Sequence, residues 1–291
     1  MTPRSRRIEL DDAPALHVLE WPALGDLPPG SADRWLLVHG LASNAWLWSG
    51  VGDLLADAGA HVVAVDQRGH GRSDRPQPAG RAAFTTPVAA DDLARVLDHL
   101  GWDRARIAGQ SWGGNVVVEL ADRHPDRIID LAAVDGGTIE LASRFPVWED
   151  CETALRPPPL AGRPRRVIEQ WLAETAADWP EAGRRATLEN FATAEDGTIT
   201  PRLRLEDHLD VLHGLWSHEP WPVIERAAVD MRFLMASPTE AADDRHHLEQ
   251  RLTAAAGSSG RRRTVHWFLD GHHDLHAQQP GAVVSALTEA T

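Results

Sequence analysis

The chain has 291 residues, 43% of them hydrophobic, and carries a formal net charge of −14. That charge excludes a nucleic-acid backbone as a natural partner. A single cysteine, Cys151, excludes an internal disulfide framework and fits a reducing compartment. The basic start, Met1 to Arg7, is not followed by the apolar region of a secretory signal. No apolar run approaches a membrane span, so a cytoplasmic protein without membrane contact is expected.

Arg7 to Leu10 and Ala15 to Glu20 read as the strands of an opening hairpin, and a Pro/Gly-rich link from Gly25 to Gly30 follows. Trp35 to Val38 is a continuous apolar run, the pattern of a strand buried on both faces. It ends in His39-Gly40-Leu41-Ala42-Ser43-Asn44, and a helix with Trp46, Leu47, Val51, Leu54 and Leu55 on one face comes next. His61 to Val65 is a second buried strand, running into the glycine-punctuated loop Asp66 to Asp74. Thr86-Pro87 opens a helix by placing proline at its first position. The strand Ala105 to Ala108 leads into Gly109-Gln110-Ser111-Trp112-Gly113, and a helical run from Val116 to Ala121 leads out. Ile128 to Val134 is the next strand, ending in Asp135-Gly136-Gly137.

From 138 to 221 the alternation stops. The segment is rich in Pro and Trp, with helices expected at Arg166 to Thr175, Glu181 to Ala192 and Leu205 to Ser217 and no buried-strand run. It reads as a helical cap inserted into a core made of 1–137 and 222–291. Alternation resumes with a strand at Met231 to Ala236, a helix at Glu240 to Ala255, a strand at Thr264 to Leu269 and a helix at Pro280 to Leu287. Such alternation specifies an α/β fold, a mostly parallel sheet with helices on both faces. Sites in these sheets lie at the carboxyl ends of the strands. His39, Ser111, Asp135 and His272-His273 each follow a strand and so share that edge.

Gly-x-Ser-x-Gly at a strand-to-helix turn is the signature of a strained elbow that exposes a serine. Serine needs an adjacent base. The best-placed histidines lie in Asp270-Gly271-His272-His273-Asp274-Leu275-His276. A metal site is the competing reading, with His272 and His276 sharing a helix face, but no second group of ligands is evident. Two places can supply an acid: Asp135, at a strand end against two glycines, or Glu240 with its neighbours Asp243 and Asp244, which also begin a helix where acids are common. Asp135 is the preferred choice. The Asp66 to Asp74 loop lacks the Walker spacing with Lys and reads as a structural turn, and Cys151 as a bystander thiol.

Val38-His39-Gly40, Asp66-x-Arg-Gly-x-Gly-x-Ser73, Gly109-x-Ser-x-Gly113 and the run Gly271 to Pro280 occur in that order. Together they resemble the α/β-hydrolase family with a helical cap, over nearly all of the chain outside that cap. The resemblance implies an eight-stranded type of sheet. It also implies a catalytic histidine seven residues before the proline that opens the last helix, which is His273, with His272 where the family has a small residue. The family order Ser…acid…His allows either acid. An oxyanion hole would come from the backbone N–H groups of Leu41 and Trp112. Haloalkane dehalogenases and epoxide hydrolases of this fold use an aspartate nucleophile, and the latter also use cap tyrosines. Here the residue is Ser111 and the chain has no tyrosine. The expected enzyme is therefore a serine hydrolase for a carboxylic ester, lactone or related acyl compound, without a cofactor or metal. Acyl transfer, amide or C–C cleavage, and a ligand-binding or cyclase role on the same scaffold are the alternatives. Trp148, Trp171, Trp179, Trp216 and Trp221 lie in or beside the expected cap. Trp148, Trp216 and Trp221 are the candidates for an aromatic wall around a hydrophobic small-molecule acyl substrate.

Overall fold

The computed structural model describes residues 2–23 and 33–289, so the expected link from Gly25 to Gly30 lies outside the described residues. The first half alternates strand and helix: β1 (Arg4–Ile8), β2 (Leu16–Trp21), β3 (Arg34–Val38), α1 (Ser49–Asp57), β4 (His61–Val65), α2 (Thr86–His99), β5 (Ala105–Gln110), α3 (Trp112–Arg123) and β6 (Ile128–Val134). A long connection follows, with α4 (Leu141–Arg144), α5 (Trp148–Leu155), β7 (Arg163–Pro164), α6 (Arg166–Thr175), α7 (Glu181–Leu188), β8 (Phe191–Thr193), β9 (Thr198–Pro201), α8 (Leu205–Trp216) and α9 (Pro220–Arg226). The chain closes with β10 (Met231–Ser237), α10 (Ala242–Ser259), β11 (Arg263–Leu269), α11 (Leu275–Gln278) and α12 (Pro280–Thr288).

Eight strands form one sheet in the order β1-β2-β4-β3-β5-β6-β10-β11. Only the β1–β2 and β2–β4 pairings are antiparallel; the others are parallel. From β3 the chain turns first to β4 on one side and later to β5 on the other. This switch point opens a crevice at the strand ends, between the loops after β3 and β5.

The sheet is sandwiched between two cores. Leu36, Val38, Ile107, Leu131 and Phe233 face the α2–α3 side, while Leu37, Ala64, Ala108, Val134 and Leu234 face α1 and α12. Burial on both faces is why these strands read as unbroken apolar runs. Each large aliphatic side chain so buried contributes roughly 1.5–3 kcal/mol. The 138–221 segment has its own small core of Ile168, Leu172, Ala176, Trp179, Ala186 and Ile199, which closes on Leu47 and Ala277 of the α/β layers.

Several expectations are corrected. The first strand is Arg4–Ile8, not Arg7 to Leu10. It is an edge strand whose exposed arginines are held by carboxylates, Arg6 by Glu20 and Arg7 by Asp74, so it has no apolar signature. The helix expected from Glu181 to Ala192 ends at Leu188, because the chain turns into β8. The 138–221 segment is not purely helical: β7, β9 and β8 form a three-stranded antiparallel sheet. At two to four residues each, these strands are too short to show a period. At the start of β11, Arg263 is buried and donates to the carbonyls of Ile224, Ala227 and Val229, satisfying the open carboxyl end of α9.

Candidate active site

Ser111 stands between β5 and α3 with φ 53° and ψ −123°, backbone values that cost a non-glycine residue free energy and persist only when the surroundings fix them. The fixation is visible. A Cβ on Gly109 would sit 2.2 Å from the Gly113 carbonyl oxygen, and one on Gly113 would sit 2.4 Å from the His39 carbonyl oxygen. The Ser111 N–H donates to the Val134 carbonyl at 2.9 Å, tying the elbow to the end of β6. There the turn Asp135-Gly136-Gly137 lies directly against it. A Cβ on Gly136 would come within 2.1 Å of the Ser111 carbonyl oxygen, so glycine is required by contact.

Asp135 also has a left-handed backbone, φ 41°. Its Oδ1 accepts the Ala236 N–H of β10 at 2.9 Å, and its Oδ2 lies 2.5 Å from His273 Nδ1. The His273 loop is tethered to the elbow by Gln110, whose Nε2 donates to the His273 carbonyl at 3.1 Å. The His273 side chain is half-exposed; the protein around it desolvates the ring and pulls its pKa down, but the hydrogen bond and charge of Asp135, with the charge of Asp274 behind them, outweigh this and hold the imidazole above its ordinary value. Asp274 itself is pushed up by burial, against the pull of His273 and His272. Among the described residues no hydrogen bond yet joins the Ser111 hydroxyl to His273; such a bond is often long until substrate is bound.

Glu240, the other candidate acid, lies exposed in the turn after β10, and Asp243 and Asp244 sit in the first turn of α10. The structure brings Asp135 to His273 and leaves this acidic group apart. His272 and His276 do not share a helix face, because α11 begins only at Leu275. The His272 ring stands edge-on to Trp179, 4.9 Å away, whereas His276 is fully buried against Trp48 at 4.4 Å. Among the described residues no group of three or more His, Cys, Asp or Glu is arranged to hold a metal ion. Cys151 is buried, which raises its thiol pKa and keeps it unreactive.

The loop after β3 lies beside the elbow, with Gly40 so close that a Cβ there would meet the Ser111 Cβ at 2.9 Å. His39 shapes this loop. Its Nδ1 lies 2.7 Å from the Gly40 carbonyl, and its Nε2 accepts the Gln67 N–H at 3.0 Å. Those partners select the neutral tautomer with hydrogen on Nδ1. Burial agrees, lowering the His39 pKa in spite of the Asp66 charge. Asp66 in turn accepts from His17, the Ala45 N–H and the Arg72 N–H, so the Asp66 to Asp74 turn braces the site from below. Leu41 is half-buried against the α2–α3 core. Trp112 opens α3, where the first N–H groups of a helix lack intrahelical partners and carry its positive dipole end. The Trp112 ring is fully buried and stacked on His70 at 5.5 Å, so it belongs to the core.

Trp148 and Trp216 pack on each other and on His213, with the Arg81 guanidinium over the Trp148 ring. Trp221 is buried under the Arg251 guanidinium, 3.7 Å from its centroid. None of the three lines the large apolar cavity beside the loop after β3, which is walled by Pro157 to Pro159, Leu160, Phe191 and Leu203. Asn115 is a further support of the site, signalled in the sequence only as a lone amide in a Gly/Val run. Its Oδ1 accepts the Gly137 N–H at 3.0 Å and its Nδ2 donates to the Ile139 carbonyl at 2.8 Å, pinning the Asp135 turn to the helix behind Ser111.

Known proteins resemble the chain to different depths. Epoxide hydrolase A of Mycobacterium tuberculosis is 39% identical over 99 residues, 34% of this chain and 30% of that protein. A haloalkane dehalogenase of Psychrobacter cryohalolentis is 34% identical over 128 residues, 43% of this chain and 42% of that protein. The chain thus spans less than half the length of these curated relatives. Among solved structures, E-2-(acetamidomethylene)succinate hydrolase superposes with a TM-score of 0.77 at 21% identity, covering 98% of both chains. A thioesterase domain from the curacin biosynthetic pathway gives a TM-score of 0.75 at 17% identity, covering 99% of this chain and 100% of that one. At those identities the likeness is one of fold. Residues 36–253 match the alpha/beta hydrolase fold family. Because that match runs through most of the chain, from β3 into α10, the chain belongs to the α/β-hydrolase fold family.

Proposed function

We propose that the chain is a serine hydrolase that cleaves a carboxylic ester, lactone or related acyl compound through an acyl-enzyme. The observation that carries this reading is the 2.5 Å contact of His273 Nδ1 with Asp135, held at the strand ends beside a strained Ser111. Ser111 Oγ attacks the substrate carbonyl carbon while its proton passes to His273 Nε2. Asp135 keeps the opposite ring nitrogen protonated and stabilises the imidazolium without taking the proton itself. The N–H groups of Leu41 and Trp112 hold the oxyanion, and loss of one such donor costs about 3–4 kcal/mol. Collapse of the tetrahedral intermediate expels the leaving group, which takes the proton from His273. Water, deprotonated by the same ring, then releases the acid and restores Ser111.

The relatives named for epoxide hydrolysis and dehalogenation point to a different substrate class. A serine nucleophile favours acyl chemistry here, since an alkyl–serine ether would have no carbonyl at which water could release it. Residues 138–221 act as the cap in this reading. Its support is a set of contacts to the site loops: Gln278 Nε2 to Asp178 at 3.0 Å, Trp179 against His272, and Asn44 Nδ2 to Asn190 at 2.6 Å. No helix of the described residues is long and apolar enough to cross a membrane, and a small-molecule substrate met in solution is proposed. The test is turnover of a panel of p-nitrophenyl esters and lactones. Ser111→Ala should lose at least about 10³-fold in kcat; full turnover by that variant would contradict the proposal.

A further inference from the structure

The cavity beside the oxyanion loop has a volume of about 620 Å³ and a charge pattern at odds with the rest of the molecule. The chain carries a net charge of −14, yet no aspartate or glutamate lines this cavity, whereas Arg156, Arg202 and Arg204 do. Two of these arginines are already matched: Arg156 pairs with Glu152, and Arg204 lies 4.0 Å from Glu206. Arg202 differs. Its Nε donates to the Glu189 carbonyl at 3.0 Å, which fixes the guanidinium, and among the described residues no carboxylate pairs with it. On the floor, Ala42 and Ser43 continue directly from Leu41 of the oxyanion loop. The remaining walls are mainly apolar, with Pro158, Leu160, Phe191 and Leu203 among them, interrupted by Asn190, Thr200 and the buried His208.

An unmatched guanidinium in a largely apolar cavity is a poor fit for a purely hydrocarbon occupant, which would desolvate it without pairing it. A planar carboxylate pairs it, because the guanidinium fork matches its two oxygens. One unmatched cation calls for a monoanion. We infer that this cavity receives the far end of the acyl chain and that this end is an ionised carboxylate, so that the substrate is a half-ester or half-thioester of a dicarboxylic acid, anchored by Arg202. This rests on the serine-hydrolase reading for the scissile end, while the anion site stands or falls separately.

The test compares mono-4-nitrophenyl esters of glutaric, adipic and pimelic acid with uncharged 4-nitrophenyl esters of matched chain length. Wild type should favour the best half-ester by about tenfold or more in kcat/KM, mainly through KM, as expected for one charge-assisted anchor. Arg202→Gln should erase that preference by lowering kcat/KM for the half-esters far more than for the neutral esters, and Arg202→Lys should keep part of it. A preference for the neutral ester at every length, or an equal loss on both series in Arg202→Gln, overturns the inference. Calorimetric titration with adipate reads the anion site without turnover: binding to wild type that weakens about tenfold in Arg202→Gln supports it. Absent binding, or binding unchanged in Arg202→Gln, overturns it. If neither ester series is turned over, the hydrolase reading fails and the adipate result alone decides the anion site.

Discussion

Asp135→Asn removes a charge with almost no change of shape, and the surroundings dictate what the amide must do. The Ala236 N–H needs an acceptor at the position of Asp135 Oδ1, so the amide oxygen stays there. The amide NH₂ then faces His273 Nδ1, where the carboxylate stood 2.5 Å away. Two donors cannot meet, so the ring is driven to the tautomer with hydrogen on Nε2. In that form Nε2 has no lone pair for the Ser111 proton. The expected loss in kcat is about 10³- to 10⁴-fold, or about 4–5.5 kcal/mol of transition-state stabilisation. The acid limb of the kcat/KM profile should also move. His273 acts as a base only when neutral, and Asp135 raises its pKa, so in wild type the limb lies above the ordinary imidazole value. Without that charge it should shift to lower pH. The assay is initial-rate hydrolysis of a p-nitrophenyl ester from pH 5 to 9, with circular dichroism to check folding and Glu240→Gln as control. A folded Asp135→Asn variant within tenfold of wild type, or a crippled Glu240→Gln, would refute the assignment of the acid.

Further predictions concern the supports of the site. Gly136→Ala should lower both kcat and thermal stability, by about 1–3 kcal/mol or more, because its Cβ would meet the Ser111 backbone; unchanged melting would show that the turn can give way. The buried Arg68–Asp92 pair, joined by two hydrogen bonds, predicts that Arg68→Met costs about 3–5 kcal/mol in denaturant unfolding, and that adding Asp92→Leu recovers much of it. His70 and His276 are buried neutral, with burial the main cause of pKa values near 3. Their folded pKa values lie below the unfolded value near 6.5, so the stability they permit is full above that pH and is lost as pH falls from about 6.5 toward 3. His276→Phe, which keeps an aromatic ring against Trp48 and removes two unpartnered nitrogens, should therefore narrow the gap between melting temperatures at pH 5 and pH 8.

The parallel strands were legible because burial on both faces leaves an unbroken apolar run, as in Trp35 to Val38 and His61 to Val65. Ser111, Asp135 and His273 were legible as candidates for another reason: each follows such a run, and glycines mark the tight contacts around the first two. What escaped was set by tertiary partners. Strand β1 is defined by pairing and by Glu20 and Asp74, not by its own hydropathy. The bracing of the Asp135 turn by Asn115 joins residues far apart in sequence. The cavity wall was sought among tryptophans because they are the largest apolar side chains of 138–221. Those rings instead pack on one another and under arginines, and a proline run, Phe191 and Leu203 form the wall. No local pattern tells an aromatic residue which neighbour it will meet.

That Ser111 is an activated nucleophile is tested most directly by intact-mass and peptide mass spectrometry after treatment with a fluorophosphonate. One adduct per chain is expected, on the peptide carrying Ser111, with labelling abolished in Ser111→Ala and slowed by orders of magnitude in Asp135→Asn. A folded protein that takes no label, or takes it at another residue with Ser111 untouched, would contradict it.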